Sequence, residues 1–458
     1  VRDTSVIVAG AGPVGLLLAG ELRLGGADVI VLERLTEPVT ESRASALHAR
    51  TMELFDQRGL LDELGTLPCL PMGHFGGIPL DLTAGTRYPG QWKLPQTRTE
   101  ALLERWATRL GARVRRGREV TGLTETADCV EVEVSDVETS GVDVLRADYV
   151  VGCDGEQSTV RRLAGFDFPG QDAGRELIRA DIVGIEIPNR RFERHSRGVA
   201  TAYRYPDGLT RVMVHEFGAR PRTTEPAFGD LVGAWSRVTG EDISGAKLVW
   251  LNAFGDARRQ AARYRKGRVM LAGDAAHQQL PTGGQALNLG LQDAMNLGWK
   301  LAAKVRGDVD LLDTYHEERH PVGEHVLTNI AAQTQLLFGD RDVEPVRTVL
   351  AELMAMEPVR AHLAEMISGL GIRYDMGPGG HPLLGTRTPP IDALRTGKGV
   401  LLNTSGAERW AGRVLTLTGV DGLPFDRALI RPDGHIAWVD GTRQELAAAL
   451  HRWFGQPN

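Results

Sequence analysis

Cysteine is nearly absent from this chain: three residues, Cys69, Cys129 and Cys153, are scattered over 458 positions. An odd, dispersed set frames no disulfide scaffold and no thiolate metal site, and it lacks the Cys-x4-Cys pair of the disulfide reductases. No metal ligand set is expected. Long apolar runs are missing too. None reaches the ~18 residues of a membrane span and no signal-peptide pattern opens the chain, so a cytoplasmic protein without membrane contact is expected. Charge of one sign is also lacking: 53 basic residues face 59 acidic ones, for a net charge of −6. That balance gives no reason to expect nucleic acid or an anionic membrane as partner. There is no internal repeat and no low-complexity tract. What the chain does have is glycine, 55 residues of it, within an ordinary 42% hydrophobic composition. Its length fits about three domains.

The glycines at the start are placed, not scattered. Residues 5–9 read as a short buried strand of apolar, mainly β-branched residues. Gly10-Ala11-Gly12-Pro13-Val14-Gly15 follows. Gly10 makes the tight turn, Gly12 lets backbone approach a pyrophosphate, and Gly15 lets the helix over residues 13–24 pack on the strand. That helix aims its free N–H groups and positive dipole end at the phosphates. A second strand over 28–32 ends at Glu33, where a carboxylate accepts both hydroxyls of an adenosine ribose. An acid there disfavours a phosphorylated ribose, so the resident dinucleotide is FAD or NAD.

Two later stretches complete the same site. Residues 148–151 read as a buried strand running into Gly152-Cys153-Asp154-Gly155, with Asp154 expected near the pyrophosphate and the nicotinamide approach. The alternative for Asp154-Gly155 is a plain strand-to-turn pair. Residues 269–271 end at Asp274, expected to bond a ribityl hydroxyl. Pro281-Thr282-Gly283-Gly284-Gln285 then lays backbone against an isoalloxazine and opens a helix over 286–304, whose dipole favours the reduced flavin by ~0.3–2 kcal/mol. His277 reads as a loop brace with no acid/base role.

Between these walls the pattern predicts a helix over 44–64, short strands and turns over 73–90, and a helix after Thr99. A half-buried strand over 130–134 follows. From about 170 to 255 strands dominate, at 178–187, 199–205, 209–217 and 247–254, and they read as a separate antiparallel sheet. Long helices run to about 371. A Gly/Pro loop at 377–382 precedes strands at 399–403, 414–418, 428–431 and 436–439 and a helix near 446–454.

With these residues quoted, together with Glu41-Ser42-Arg43, His74-Phe75-Gly76-Gly77, Gly165 to Gly170, His381 to Gly385 and Arg431 to His435, the chain resembles the single-component FAD-dependent aromatic hydroxylases. Within them it is similar to bacterial aromatic-polyketide hydroxylases, in particular those of angucyclines. The resemblance implies an α/β fold of the para-hydroxybenzoate hydroxylase type. A Rossmann-like FAD-binding domain (1–70, 98–170, 258–385) would carry an inserted antiparallel β-sheet substrate domain (71–97, 171–257), followed by a thioredoxin-like domain (386–458). It implies noncovalent FAD held by Gly10, Gly12, Pro13, Val14, Gly15, Glu33, Arg34, Arg43, Gln96, Asp154, Gly155 and Asp274, with Pro281, Gly283, Gly284, Gln285, Ala286, Leu287 and Asn288 at the flavin. NADPH or NADH is the transient co-substrate. One departure stands out: relatives carry Gly-Gly-Gln-Gly where this chain has Gly284-Gln285-Ala286, a β-carbon that bears on ring movement or helix entry.

The implied reaction uses NAD(P)H and O2 to hydroxylate a polycyclic aromatic polyketide through a C4a-hydroperoxyflavin. No single base stands out. Pocket candidates are His74, Phe75, Trp92, Tyr203, Arg204, Met213, His215 and Phe254. Baeyer–Villiger oxidation or flavin dehydrogenation on a related polyketide remains open, as does a non-catalytic flavin-fold binding protein. Either a monomer or a homodimer fits.

Overall fold

The computed structural model describes residues 2–40, 44–83, 85–205, 207–377 and 379–457. Buried β-branched strands build the first sheet, in the order Arg265–Lys266, Val269–Leu271, Val142–Gly152, Thr4–Ala9, Val29–Glu33, Arg113–Arg116. From Val269–Leu271 to Arg113–Arg116 neighbouring strands run parallel. Arg118–Glu125 and Val130–Asp136 extend it as antiparallel strands beyond Val142–Gly152. The register sets Ala9 opposite both Gly152 and Leu32, and Gly152 opposite Leu271. Four chain exits therefore share one edge, the edge where open parallel sheets bind ligands.

The helix Pro13–Leu24 crosses this sheet against Gln285–Arg306, and glycine sets how closely they approach. A β-carbon on Gly298 would lie 2.4 Å from that of Glu21, and one on Gly20 would lie 1.9 Å from the Trp106 ring. No side chain fits at either place.

A second sheet has the order Arg190–His195, Gly198–Arg204, Thr210–Glu216, Glu176–Val183, Lys247–Gly255, all antiparallel. One face, through Ile178, Ala180, Val212 and Val214, packs on Leu231 and Trp235 of the helix Phe228–Thr239. The other face looks back towards the first unit. Neither Arg190–His195 nor that helix was expected. The strand has a single apolar residue, Phe192, among polar ones and so lacks apolar alternation, and the helix hides among strands.

Two expectations change. The span 44–64 is not one helix: Ala46–His48 is a strand, followed by the helix Ala49–Asp56 and a turn of 3-10 helix, Leu60–Glu63. Its strand pairs with Gln91–Lys93, a long-range partner that local periodicity does not report. None of the described strands in 71–97 pairs with the five-stranded sheet, which reaches them through Arg191, donating to the Met72 carbonyl at 2.9 Å and to Gln91 Oε1 at 3.2 Å. Met72–Phe75 and Ile78–Asp81 pair with each other, and Gln91–Lys93 pairs with Ala46–His48 and Cys69–Leu70.

The C-terminal unit is a four-stranded mixed sheet, Val414–Leu417, Gly399–Leu402, Ala428–Ile430, Ile436–Val439, with the helix Arg443–Phe454. It shares its core with the first unit: Trp299 and Leu311 pack with Trp410, Trp438, Trp453 and Phe454. Buried charges cross the same seam. Arg431 bonds both oxygens of Glu318 at 2.6 and 2.8 Å, and Lys300 bonds Glu318 at 2.8 Å. Arg58 donates to the carbonyls of Leu394 and Pro432 at 2.7 and 2.9 Å.

Buried imidazoles make the fold acid-sensitive. Burial holds His48 down to about 4, and it holds His74 and His435 down to about 3. The unfolded chain takes up these protons below the ordinary histidine value while the folded chain does not. Stability therefore falls as pH drops from ~6.5 through about 4. Urea midpoints measured across that window are expected to decline steadily; a flat profile contradicts neutral buried histidines.

Candidate active site

At the shared edge the glycine-rich turn has the geometry that a dinucleotide needs. Gly10 has φ +103° and its absent β-carbon would sit 2.4 Å from the Cys153 carbonyl oxygen, while one on Gly15 would sit 2.0 Å from that of Gly10. Both are closed to side chains by backbone. Gly12 is different: a β-carbon there meets no atom within 4 Å. It caps Pro13–Leu24 without any side-chain hydrogen bond, so the first N–H groups of that helix remain available to an anion. Glu33 ends its strand beside this turn, its Oε2 accepting from the Ala11 N–H at 2.8 Å and its Oε1 from the Leu35 N–H at 2.9 Å. The residues fit FAD. Glu33→Ala removes the acceptor and loosens the turn, and is expected to weaken FAD binding by about 1.5–3 kcal/mol. Flavin titration of the apoprotein measures this, and unchanged affinity excludes Glu33 from the site.

Other expected contacts sort less evenly. Both oxygens of Asp154 are engaged locally: Oδ1 accepts from Ser158 Oγ at 2.5 Å, Oδ2 from the N–H groups of Thr159 and Val160 at 2.7 and 3.0 Å. Asp154 thus braces the start of the helix Thr159–Leu163. Gly155 beside it has φ +80° and open space around its absent β-carbon. Asp274 is exposed in a 3-10 turn at the same edge. Arg34 is exposed just past Glu33, and Gln96 opens the helix Gln96–Arg109, bonding Glu100 at 2.9 Å. Arg43 lies outside the described residues.

Gly283 and Gly284 have φ +68° and +71°, and the helix Gln285–Arg306 starts directly after them. Ala286 lies inside that helix in regular conformation, so its β-carbon does not disturb helix entry. Leu287 is half-buried one position on. The Asn288 side chain is turned inward: it accepts from the His48 N–H at 2.8 Å and donates to the carbonyls of Ala46 and Gly284 at 2.9 and 2.8 Å. It fixes the loop to the strand Ala46–His48. Behind the loop, His277 Nε2 lies 2.7 Å from Asp293, which also accepts from Arg319 at 2.7 Å. Burial works to raise the Asp293 carboxyl, but Arg319 and then His277 hold it below its ordinary value. This sealed cluster braces the turn.

The open face of the five-stranded sheet faces this loop. Cross-strand register orders it in rows. Val199, His215, Leu177 and Phe254 form the innermost, which packs with Leu280, Leu289, Ile330 and Phe338. Thr201, Met213, Arg179 and Asn252 form the next, all half-buried. Arg179 lies over the rings of Trp250 and Phe254, at 5.0 and 5.2 Å from their centroids. Among the described residues, Asn252 Oδ1 and both side-chain polar atoms of Gln279 are buried with no partner, the kind of group that a polar ligand atom satisfies. Strand alternation names two faces without saying which one is roofed by helix, so Arg179, Trp250, Asn252 and Gln279 went unnamed in the sequence.

Of the pocket candidates, Met213 and Phe254 lie on this face. His215 does too, but its Nδ1 is 2.7 Å from the Glu176 carbonyl, its ring packs on Phe338, and burial lowers its pKa. His74 is buried against Phe192, with ring centroids 4.6 Å apart. Three candidates, Phe75, Trp92 and Arg204, fall elsewhere, and Tyr203 stands on the open face but at its rim, in the row of Arg211, Asp181 and Trp250. Phe75 packs with Leu336, Leu363 and Ile367. Trp92 joins the first unit's core beside Tyr88. Tyr203 is 55% exposed at the outermost row. Arg204 points to the helix side and pairs with exposed Glu186 at 2.8 Å.

Among the described residues no helix is long and apolar enough to cross a membrane, and no cluster suits a metal ion. Residues 3–330 match the FAD binding domain family, and residues 381–457 match the aromatic-ring hydroxylase C-terminal family. The rifampicin monooxygenase of Streptomyces venezuelae is 42% identical over 487 residues, covering 98% of each chain. The dialkyldecalin synthase of Streptomyces rugosporus is 40% identical and covers 99% of each. The crystal structure of CabE, an aromatic hydroxylase from angucycline biosynthesis, superposes with a TM-score of 0.94 at 46% identity, covering all of both chains. With an FAD-type turn at one end and the hydroxylase C-terminal unit at the other, the chain belongs to the family of FAD-dependent aromatic-ring hydroxylases.

Proposed function

We propose that this protein hydroxylates a fused-ring aromatic polyketide of the angucycline type, using FAD, NAD(P)H and O2. The observation that carries this reading is the half-buried row on the five-stranded sheet, where flat aromatic walls stand beside a guanidinium and an unpartnered amide. Trp250, Phe254 and Met213 offer an apolar surface for a polycyclic ligand. Arg179 and Asn252 are placed to fix its oxygens, the arginine favouring an ionised phenol. An ionised phenol is the more nucleophilic ring, so binding it as the anion does the work for which no separate base stands out.

When bound, FAD relays the electrons of NAD(P)H to O2 and so supplies the activated oxygen. Gly12 and the first turn of Pro13–Leu24 would hold its pyrophosphate, Glu33 its ribose, Asp274 its ribityl chain, and the Gly283–Gly284 backbone its ring system. The inner row, closed by Leu280, Leu289 and Phe338, keeps water from the reacting face. We assign cofactor binding to the first unit, substrate binding to the five-stranded sheet, and a thioredoxin-like fold without thiol chemistry to the tail, in which no cysteine follows Cys153.

The test is turnover with labelled dioxygen and a panel of tricyclic and tetracyclic phenols. One labelled oxygen is expected in an aromatic product, with substrate accelerating NAD(P)H consumption. Label from water, a lactone, or ring formation without nicotinamide use (the kind of outcome that the dialkyldecalin synthase name suggests) would overturn the assignment.

A further inference from the structure

The strands Ala46–His48 and Gln91–Lys93 pair with Ala46 opposite Lys93, Leu47 opposite Trp92 and His48 opposite Gln91. Directly opposed residues share a face of the pair. Leu47 and Trp92 turn to the first unit's core. Ala46, His48, Gln91 and Lys93 are therefore on the other face, and their contacts show what that face covers. The atoms nearest to a β-carbon on Gly284 are Ala46 Cβ at 3.2 Å and His48 Nε2 at 3.4 Å. Gln91 Nε2 donates to the Gly283 carbonyl at 3.5 Å. This face lies against the Gly283–Gly284 loop, and Lys93 brings an ammonium to it.

Lys93 is half-buried and short of counter-charge. Among the described residues it forms no ion pair. Burial and the Arg191 guanidinium both depress its pKa, and no carboxylate among the described residues offsets them. Arg191 is itself held by neutral acceptors, the Met72 carbonyl and Gln91 Oε1. The field of Lys93 is felt at the loop, where it adds to the burial that depresses His48. A cation kept partly out of water without a partner is costly unless an anion comes to it. The flavin becomes that anion on reduction. A hydride from NAD(P)H brings two electrons and one proton, leaving NAD(P)+ and a ring system with one net negative charge.

We propose that Lys93 is the fixed cation that stabilises the reduced, anionic flavin and so raises the midpoint potential of bound FAD. This role rests on the flavin ring lying at the Gly283–Gly284 backbone, and it is independent of which substrate is hydroxylated.

Potentiometric titration of the FAD-loaded protein, without substrate or nicotinamide, tests it. Sulfite binding is the second probe, because the flavin–sulfite adduct is also anionic. Lys93→Met and Lys93→Gln should each shift the reduction equilibrium away from the reduced form by about tenfold or more, ~30 mV for a two-electron couple, and weaken sulfite binding about as much. Lys93→Arg should keep both. Ala286→Asp sets a carboxylate in the first turn of the helix after the loop, where the helix dipole accepts it, and should lower the potential whatever Lys93 does. A lower potential in Ala286→Asp with wild-type values in both neutral Lys93 variants would overturn the role of Lys93 and leave the ring at the loop. No change in any of the three would place the ring elsewhere and overturn both. A Lys93→Arg protein as low in potential as Lys93→Met would also overturn it. So would an unchanged potential in Lys93→Met with a raised KM for NAD(P)H, which would give the lysine to the nicotinamide phosphates instead.

Discussion

Replacing Glu318 with alanine lowers the unfolding free energy by about 3–5 kcal/mol, because it strands Arg431 and Lys300 in the core. Both cations are fully buried and both bond this one carboxylate. Asp433 also pairs with Arg431, but among the described residues Lys300 is left with Asn296 Oδ1, at 2.8 Å, as its hydrogen-bond acceptor. Burial works to raise the Glu318 carboxyl, yet Arg431 and Lys300 hold it down to about 2. This contribution is present above the ordinary glutamate value and is lost as pH falls through about 2. Denaturant melts of Glu318→Ala and Glu318→Gln measure the loss. A change under ~1 kcal/mol in both would mean that the seam is wet and loosely held. The same network sets what removal of the tail does: a chain cut near Ile391 loses Arg431 and exposes Trp299, so the first unit should not survive intact alone.

Gly12→Val should separate folding from cofactor binding. Gly12 sits at φ −73°, ψ 179°, which valine adopts without strain, and the space around its absent β-carbon is open. The apoprotein should fold with wild-type Tm. The isopropyl group then stands where the pyrophosphate must meet the N–H groups of the helix, and FAD affinity should fall by roughly a hundredfold or more, a loss of two such contacts. Flavin content after purification and titration of the apoprotein read it out. Wild-type flavin retention would place the dinucleotide elsewhere. A collapse in Tm would show instead that the position is structural, as at Gly10 and Gly15.

The parallel sheet, its glycine turn and Glu33 were legible in the sequence because their causes are local. Each rests on a short apolar run, an αL position or an acid at a strand end. The inner strands of the second sheet were legible for the same reason. What escaped depends on distant partners. Ala46–His48 is a strand only because Gln91–Lys93 lies beside it, and Arg190–His195 carries charges that read as loop. Asp154 illustrates the limit at the site itself. A strand-end Asp-Gly suits a ligand and a plain turn equally, and nothing local announces its bonds to Ser158 and the Thr159 N–H. Arg179 and Asn252 share a face with Met213 by register, yet period-2 alternation assigns them to one face without revealing that the other is roofed by Phe228–Thr239.

The seam also orders events in time. Glu318 and Arg431 are 113 residues apart, so a ribosome has long released the acid into folding range before it makes the base. During that interval the first unit can close its parallel sheet but not its core around Lys300, and Trp299 stays in contact with water. The cofactor turn is made among the first residues, whereas the helix Gln285–Arg306, which carries both Lys300 and the flavin loop, must wait for the tail. Synthesis therefore completes the glycine-rich turn long before the helix Gln285–Arg306 gains its last packing partners.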